Sequence, residues 1–166
     1  DFMKDALSDS RKIKVLPIID EYTRKAHRIE VDTSLPGAAV VRILGEVAQR
    51  EGLPEIIIID NGPEFISNAV DKWAYERGIQ LCFITPGKPV ENAYIESFNG
   101  RLRDECLNQH WFLTLHHARE IIEAWRIDYN TERPHSSLGW LTPHEFIKKT
   151  EGTDQLTAQE PIFSNS

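Results

Sequence analysis

Four consecutive isoleucines, Ile56–Ile59, stand between Pro54-Glu55 and the turn-forming Asp60-Asn61-Gly62. A run this short, β-branched and uninterrupted reads as a strand buried on both faces, the kind found in parallel pairings covered by helices. A chain that contains such a strand is expected to build around an α/β sheet. Its 166 residues, 40% of them apolar, suffice for one domain with a substantial core.

The remaining elements arrange themselves around that strand. Residues 11–20 (RKIKVLPIID) pass from alternating to continuous apolar character, as a strand entering a core does, and Pro17 predicts a bulge or an edge position. Residues 25–31 alternate and, with a turn at 21–24, predict a hairpin; residues 1–6 precede it as a strand cut short at its beginning. Ser34 is the expected cap of a helix starting near Pro36, with Val40, Val41, Leu44, Val47 and Ala48 at helical spacing and Gly52 as its stop. Helices are expected over 65–77, 92–107 and 114–130, a short one over 143–149, and a further strand at 81–84. The order βββαβαβα with trailing helices predicts a mixed sheet of about five strands covered on both faces. One domain is expected over 1–149, followed by an acidic, flexible tail over 150–166 that holds Glu151, Asp154 and Glu160 and no Lys or Arg.

Nineteen Lys and Arg against 26 Asp and Glu give a net charge of −7. That balance counts against a protein that binds nucleic acid by charge alone, but it suits an enzyme that reaches phosphates through metal ions. No apolar run approaches the ~18–20 residues of a membrane span, and DFMKD does not open a signal peptide. Cys82 and Cys106 form no metal-like spacing, so a reduced, cytoplasmic protein is expected.

Three acids stand out on this scaffold. Asp60 ends the isoleucine strand at its carboxyl end, where open α/β sheets place their ligands. Glu96 lies on a helix whose core stripe is Ile95, Phe98, Leu102 and Cys106, while Asn92, Glu96, Asn99 and Arg103 form a separate polar stripe. Asp1 opens the first strand, which can pair beside the strand ending at Asp60. Asp5 and Asp20 also lie near strand ends, where turn hydrogen bonding is the simpler reading, with Asp5 the fallback ligand. Glu64 suits the first turn of its helix. Arg133-Pro134-His135 reads as a turn lock, His110, His116 and His117 as surface residues, and the four Trp as packing residues.

The segments Asp60-Asn61-Gly62-Pro63-Glu64-Phe65, Asn92-Ala93-Tyr94-Ile95-Glu96-Ser97-Phe98-Asn99-Gly100 and Tyr129-Asn130-Thr131-Glu132-Arg133-Pro134-His135-Ser136-Ser137-Leu138 resemble the catalytic core of retroviral-integrase-like DDE transposases, of the OrfB type of bacterial insertion sequences. Thirty-five residues separate Asp60 from Glu96, the spacing that marks this type. The resemblance implies an RNase H-like fold and a catalytic, metal-binding triad of Asp1, Asp60 and Glu96. It further implies two Mg²⁺ or Mn²⁺ ions, and cleavage of DNA at an element end followed by transfer of the freed 3′-hydroxyl to another phosphodiester. Three carboxylates suit that chemistry, because hard divalent ions take oxygen ligands and two ions can share one carboxylate.

Lys88, Asn92, Asn99, Arg101 and Arg103 are the candidate DNA contacts. DNA ends and target, and a homodimer or higher oligomer, are the expected partners, with a bacterial cytoplasmic location at the nucleoid. The DNA-reading region of the family would precede Asp1, and a chain starting there, with a free α-amino group beside the metal, is expected to bind it more weakly than one extended upstream. An RNase H-like nuclease without joining activity, and a non-catalytic remnant that only oligomerises, are the alternatives.

Overall fold

The computed structural model describes residues 2–60, 62, 67–85, 87–88 and 93–157, with side chains up to 153. Strands β1 (Met3–Ala6), β2 (Lys12–Ile19) and β3 (Ala26–Asp32) come first. Then follow α1 (Gly37–Glu51), β4 (Ile56–Ile59), α2 (Asn68–Glu76), β5 (Gln80–Phe83), α3 (Ala93–Glu105), α4 (Leu115–Glu132) and α5 (Pro143–Thr157). This is the expected mixed α/β order. β1, β2 and β3 form an antiparallel meander, with Met3 opposite Val15 and Val15 opposite Val31. β4 and β5 are parallel, Ile56 opposite Gln80, so they require the crossover that α2 supplies.

Helices cover the meander on both faces. α3 and α4 press Phe98, Leu102, Ile122, Trp125 and Tyr129 against Met3, Ile13, Val15 and Val31. Burying each of these large apolar side chains stabilises the fold by roughly 1.5–3 kcal/mol. On the opposite face α1 sets Val40 and Ile43 over Leu16 of β2 and Ile59 of β4, and so spans both halves of the sheet. Buried Asn130 of α4 fixes the edge strand: its Oδ1 accepts from Ala26 N–H at 2.8 Å, and its Nδ2 donates to Ala26 C=O at 2.9 Å.

Several expectations are corrected. The sheet is in two parts, because among the described residues β4 pairs only with β5 and β1 reaches no further along β2 than Val15. The isoleucine strand is therefore not buried on both faces. Ile59 is 5% exposed beneath α1, but Ile56 and Ile58, pointing the other way, are 51% and 45% exposed. Pro17 sits within the β2–β3 ladder opposite Ile29, and the bulge falls between Ile18 and Ile19. Ser34 caps nothing: α1 starts behind Pro36, whose fixed φ of −69° suits a helix entry, without a side-chain cap. The expected start of α2 at Phe65 lies outside the described residues; the helix is described from Asn68, capped by Ser67 Oγ accepting from Val70 N–H at 3.3 Å. α5 runs past 149 to Thr157, as the Thr150 and Thr153 hydroxyls return hydrogen bonds to helix carbonyls rather than breaking it. Among the described residues no helix is long and apolar enough to cross a membrane.

Candidate active site

β4 delivers Asp60. Its parallel ladder with β5 continues one step beyond the strand, Ile84 N–H donating to Ile59 C=O at 3.0 Å, and the next side chain is half-buried Asp60. Asp60 Oδ1 accepts from Gly62 N–H at 2.9 Å, a turn that orients the carboxylate at the strand end. Among the described residues no basic side chain forms an ion pair with it. A carboxylate at the end of an apolar strand is a place where a cation relieves the cost of partial burial.

α3 delivers Glu96. Phe98, Leu102 and Cys106 are buried to 1% exposure or less, and Ile95 packs partly against them, so the core stripe read from the sequence is the one that forms. Glu96 consequently emerges on the exposed side of the first turn. An apolar groove of about 540 Å³ runs between β2, α1 and β4, and Asp60, Ile84, Tyr94 and Ile95 are among the residues that line it. The first turn of α3, which carries Glu96, thus borders the same groove as Asp60. Asp1 lies outside the described residues, but its neighbour Phe2 lines a second, shallower cleft with Asn99, Gly100 and Arg103, one to two turns beyond Glu96. Among the described residues alone, no three His, Cys, Asp or Glu side chains gather closely enough to hold an ion. The set expected from the sequence, Asp1, Asp60 and Glu96, offers carboxylate oxygen alone, which fits a hard divalent cation and not a soft one.

The predicted DNA contacts occupy different surroundings. Lys88 is exposed on a turn closed by its N–H donating to Thr85 C=O at 3.2 Å, with Gly87 at φ +81°. Arg101 is exposed on α3. Arg103 already has a structural task, its Nη2 donating to Lys4 C=O at 2.8 Å and tying α3 to β1. Asn99 Oδ1 is buried with no hydrogen-bond partner among the described residues. Asn92 and Glu64 lie outside the described residues.

Sequence reasoning missed a cluster beside Glu96. Tyr94 and Tyr129 hydroxyls lie 3.0 Å apart, and Arg24 stacks on the Tyr94 ring with Cζ 4.0 Å from its centroid. Burial pushes both phenols above their ordinary pKa, so each keeps its proton and one donates to the other. His135 is 7% exposed against Tyr129, with Nε2 unpartnered among the described residues. Arg133 pairs with Glu105 and Asp128, as a turn lock should. Trp111 and Trp140 are 82% and 72% exposed, so packing accounts only for Trp73 and Trp125. Cys106 is a buried thiol pushed up to about 11 by desolvation, which leaves it unreactive.

Models of the integrase core domain match the chain over residues 1–89 and 77–143. It is 52% identical over 158 residues to the uncharacterized 31.7 kDa protein of insertion element IS407 from Burkholderia multivorans, covering 95% of this chain and 57% of that protein. It is 50% identical over 146 residues to the uncharacterized 39.2 kDa protein of insertion element IS476 from Xanthomonas euvesicatoria, covering 88% and 42%. The chain thus spans about half the length of these relatives. In fold it is similar to the HTLV-2 integrase catalytic core domain, solved with magnesium in a trimeric form, with a TM-score of 0.68 at 16% identity over 88% of this chain and 91% of that one.

Proposed function

Since the chain belongs to the integrase core domain family, matched over residues 1–89 of 166, we propose that it is the DDE-type polynucleotidyl transferase part of an insertion-sequence transposase. It cuts a DNA strand at an element end and joins the freed 3′-hydroxyl to a target phosphodiester, in the bacterial cytoplasm, as a dimer or larger assembly on DNA. What supports this reading is that Asp60, at the end of β4, lines a groove whose wall also includes Tyr94 and Ile95, so the first turn of α3, which carries Glu96, packs against the groove that holds Asp60.

Asp1, Asp60 and Glu96 are the residues that would hold two Mg²⁺ or Mn²⁺ ions. When bound, such ions supply Lewis acidity to the attacking and leaving oxygens. The chain's own residues do the rest. The Gly62 N–H holds Asp60 in one orientation, so its negative charge is fixed before substrate arrives. The buried stripe of α3 sets the rotation of Glu96, and the open side of the groove leaves room for a DNA backbone. Asn99 and Arg103 line the second cleft, where Arg103 also holds Lys4 C=O, and Lys88, Arg101 and Asn92 would add cationic or amide contacts to phosphates. With a net charge of −7, these local contacts must carry the affinity, so DNA binding is expected to be weak and salt-sensitive.

The test is strand joining of a pre-cut oligonucleotide end into a target duplex in Mg²⁺. Asp60→Asn and Glu96→Gln are expected to lower the rate by at least about a thousandfold while circular dichroism and melting temperature stay at wild-type values. Retained joining by folded Glu96→Gln would refute the assignment.

A further inference from the structure

We propose that Arg24 and Tyr94 are positioning residues that clamp the first turn of α3 and thereby aim Glu96, an inference that rests on Glu96 being an active-site acid. The first observation is a strained backbone. Arg24, in the β2–β3 turn, has φ +61°, a left-handed conformation that glycine or asparagine would adopt more cheaply. The turn is built to keep it there. Asp20 Oδ1 accepts from both Tyr22 N–H and Thr23 N–H at 2.8 Å, and Asp20 N–H donates to Lys25 C=O at 2.9 Å. Strain of this kind persists where a contact requires it. The contact here is the guanidinium over Tyr94, 4.0 Å from the ring centroid.

The second observation is the post to which Tyr94 is tied. Its hydroxyl lies 3.0 Å from that of Tyr129, which is 1% exposed and boxed by the rings of Phe98, Trp125 and His135 at centroid distances of 5.0, 5.3 and 5.0 Å. Trp125 is itself held, its Nε1 donating to Glu105 at 3.1 Å. Tyr94 is thus gripped from the hairpin tip on one side and from α4 on the other.

Helix geometry converts this grip into aim. Residues two apart on an α-helix point about 200° apart, so holding Tyr94 against α4 turns Glu96 to the opposite side. Tyr94 and Phe98, one turn apart on the gripped face, are two anchor points, and two points fix the rotation of the helix end. Release of Tyr94 leaves only the partly buried Ile95 and Phe98 to hold the turn bearing Glu96, and loosens it.

The experiment compares wild type with Arg24→Gly, Tyr94→Phe and Arg24→Lys in the whole chain. Arg24→Gly removes the guanidinium and relieves the backbone strain, so a merely structural role predicts an unchanged enzyme. The clamp instead predicts a kcat for Mg²⁺-dependent joining lowered by about ten- to a hundredfold, with KM for DNA and melting temperature at wild-type values. It also predicts weaker Mn²⁺ binding by calorimetric titration and faster amide hydrogen exchange confined to residues 94–98. Tyr94→Phe should share the loss of kcat, the weaker Mn²⁺ binding and the faster exchange, with a lower melting temperature because the buried Tyr129 hydroxyl loses its partner, and Arg24→Lys should recover part of the rate. Wild-type kcat and wild-type exchange in Arg24→Gly and Tyr94→Phe would overturn the clamp. If wild type itself neither joins DNA nor binds Mn²⁺, the proposed function fails, and exchange at 94–98 alone then decides the clamp: accelerated supports it, unchanged overturns it.

Discussion

Val15 in β2 and Ile58 in β4 are both β-branched residues inside strands, yet the first is fully buried and the second is 45% exposed. β2 has β1 and β3 at its sides, α3 and α4 over one face and α1 over the other. β4 has β5 at one side and is packed under α1 and α2 on one face only, where Ile57 and Ile59 point. The three-stranded half closes the core and carries the stability. The two-stranded half leaves a strand end and its groove open, and that is where Asp60 stands. On the proposed function this carboxylate meets metal and DNA, and that needs access which a fully covered strand could not provide.

The strongest way to break this comparison is to truncate one isoleucine in each half. Ile122→Ala, in the closed half, should cost about 3–4 kcal/mol in urea denaturation, because the cavity is lined by packed neighbours that cannot collapse. Asn130→Ala should cost about 2–4 kcal/mol by the same measurement, since it strands the Ala26 N–H and C=O at the edge of the meander.

A pH series sharpens the comparison further. Burial, only partly offset by Glu51, lowers the His27 pKa, and burial with Arg101, Arg24 and Arg133 nearby lowers that of His135. The unfolded chain therefore takes up protons first. Stability is complete above the unfolded value of about 6.5 and is lost as pH falls through the lower folded values. The urea midpoint should drop between pH 7.5 and pH 5, and less steeply in His27→Gln. The smallest effect belongs to the open half: Ile58→Ala should change stability by less than about 1 kcal/mol. A loss as large as that of Ile122→Ala would show that the groove face is covered after all.

Much of this was legible in the residues. Pro54 and Asn61-Gly62 bracket the isoleucine strand and put Asp60 at its end, and apolar spacing on α3 separated the Glu96 side from the core side. These are local patterns. The split of the sheet among the described residues was not legible, because the register of β1 on β2 and the pairing of β4 depend on which strand lies alongside, and a run of isoleucines looks the same whether one face or both are covered. The helix start near Pro36 was legible, but the cap expected from Ser34 does not form, because the fixed φ of Pro36 already suits the entry and no side chain caps it. The Arg24–Tyr94–Tyr129 cluster joins three distant segments and carries no spacing signature. A left-handed arginine cannot be told from an ordinary turn residue until the turn is seen.

The central claim is that Asp60 and Glu96, with Asp1, form one cation site. A crystal structure of the chain in Mn²⁺, with anomalous data at the manganese edge, tests it most directly. The expected result is manganese density bridging the Asp60 and Glu96 carboxylates at the end of β4. A saturating soak that leaves both carboxylates without manganese, or places the ion on other residues, would contradict it.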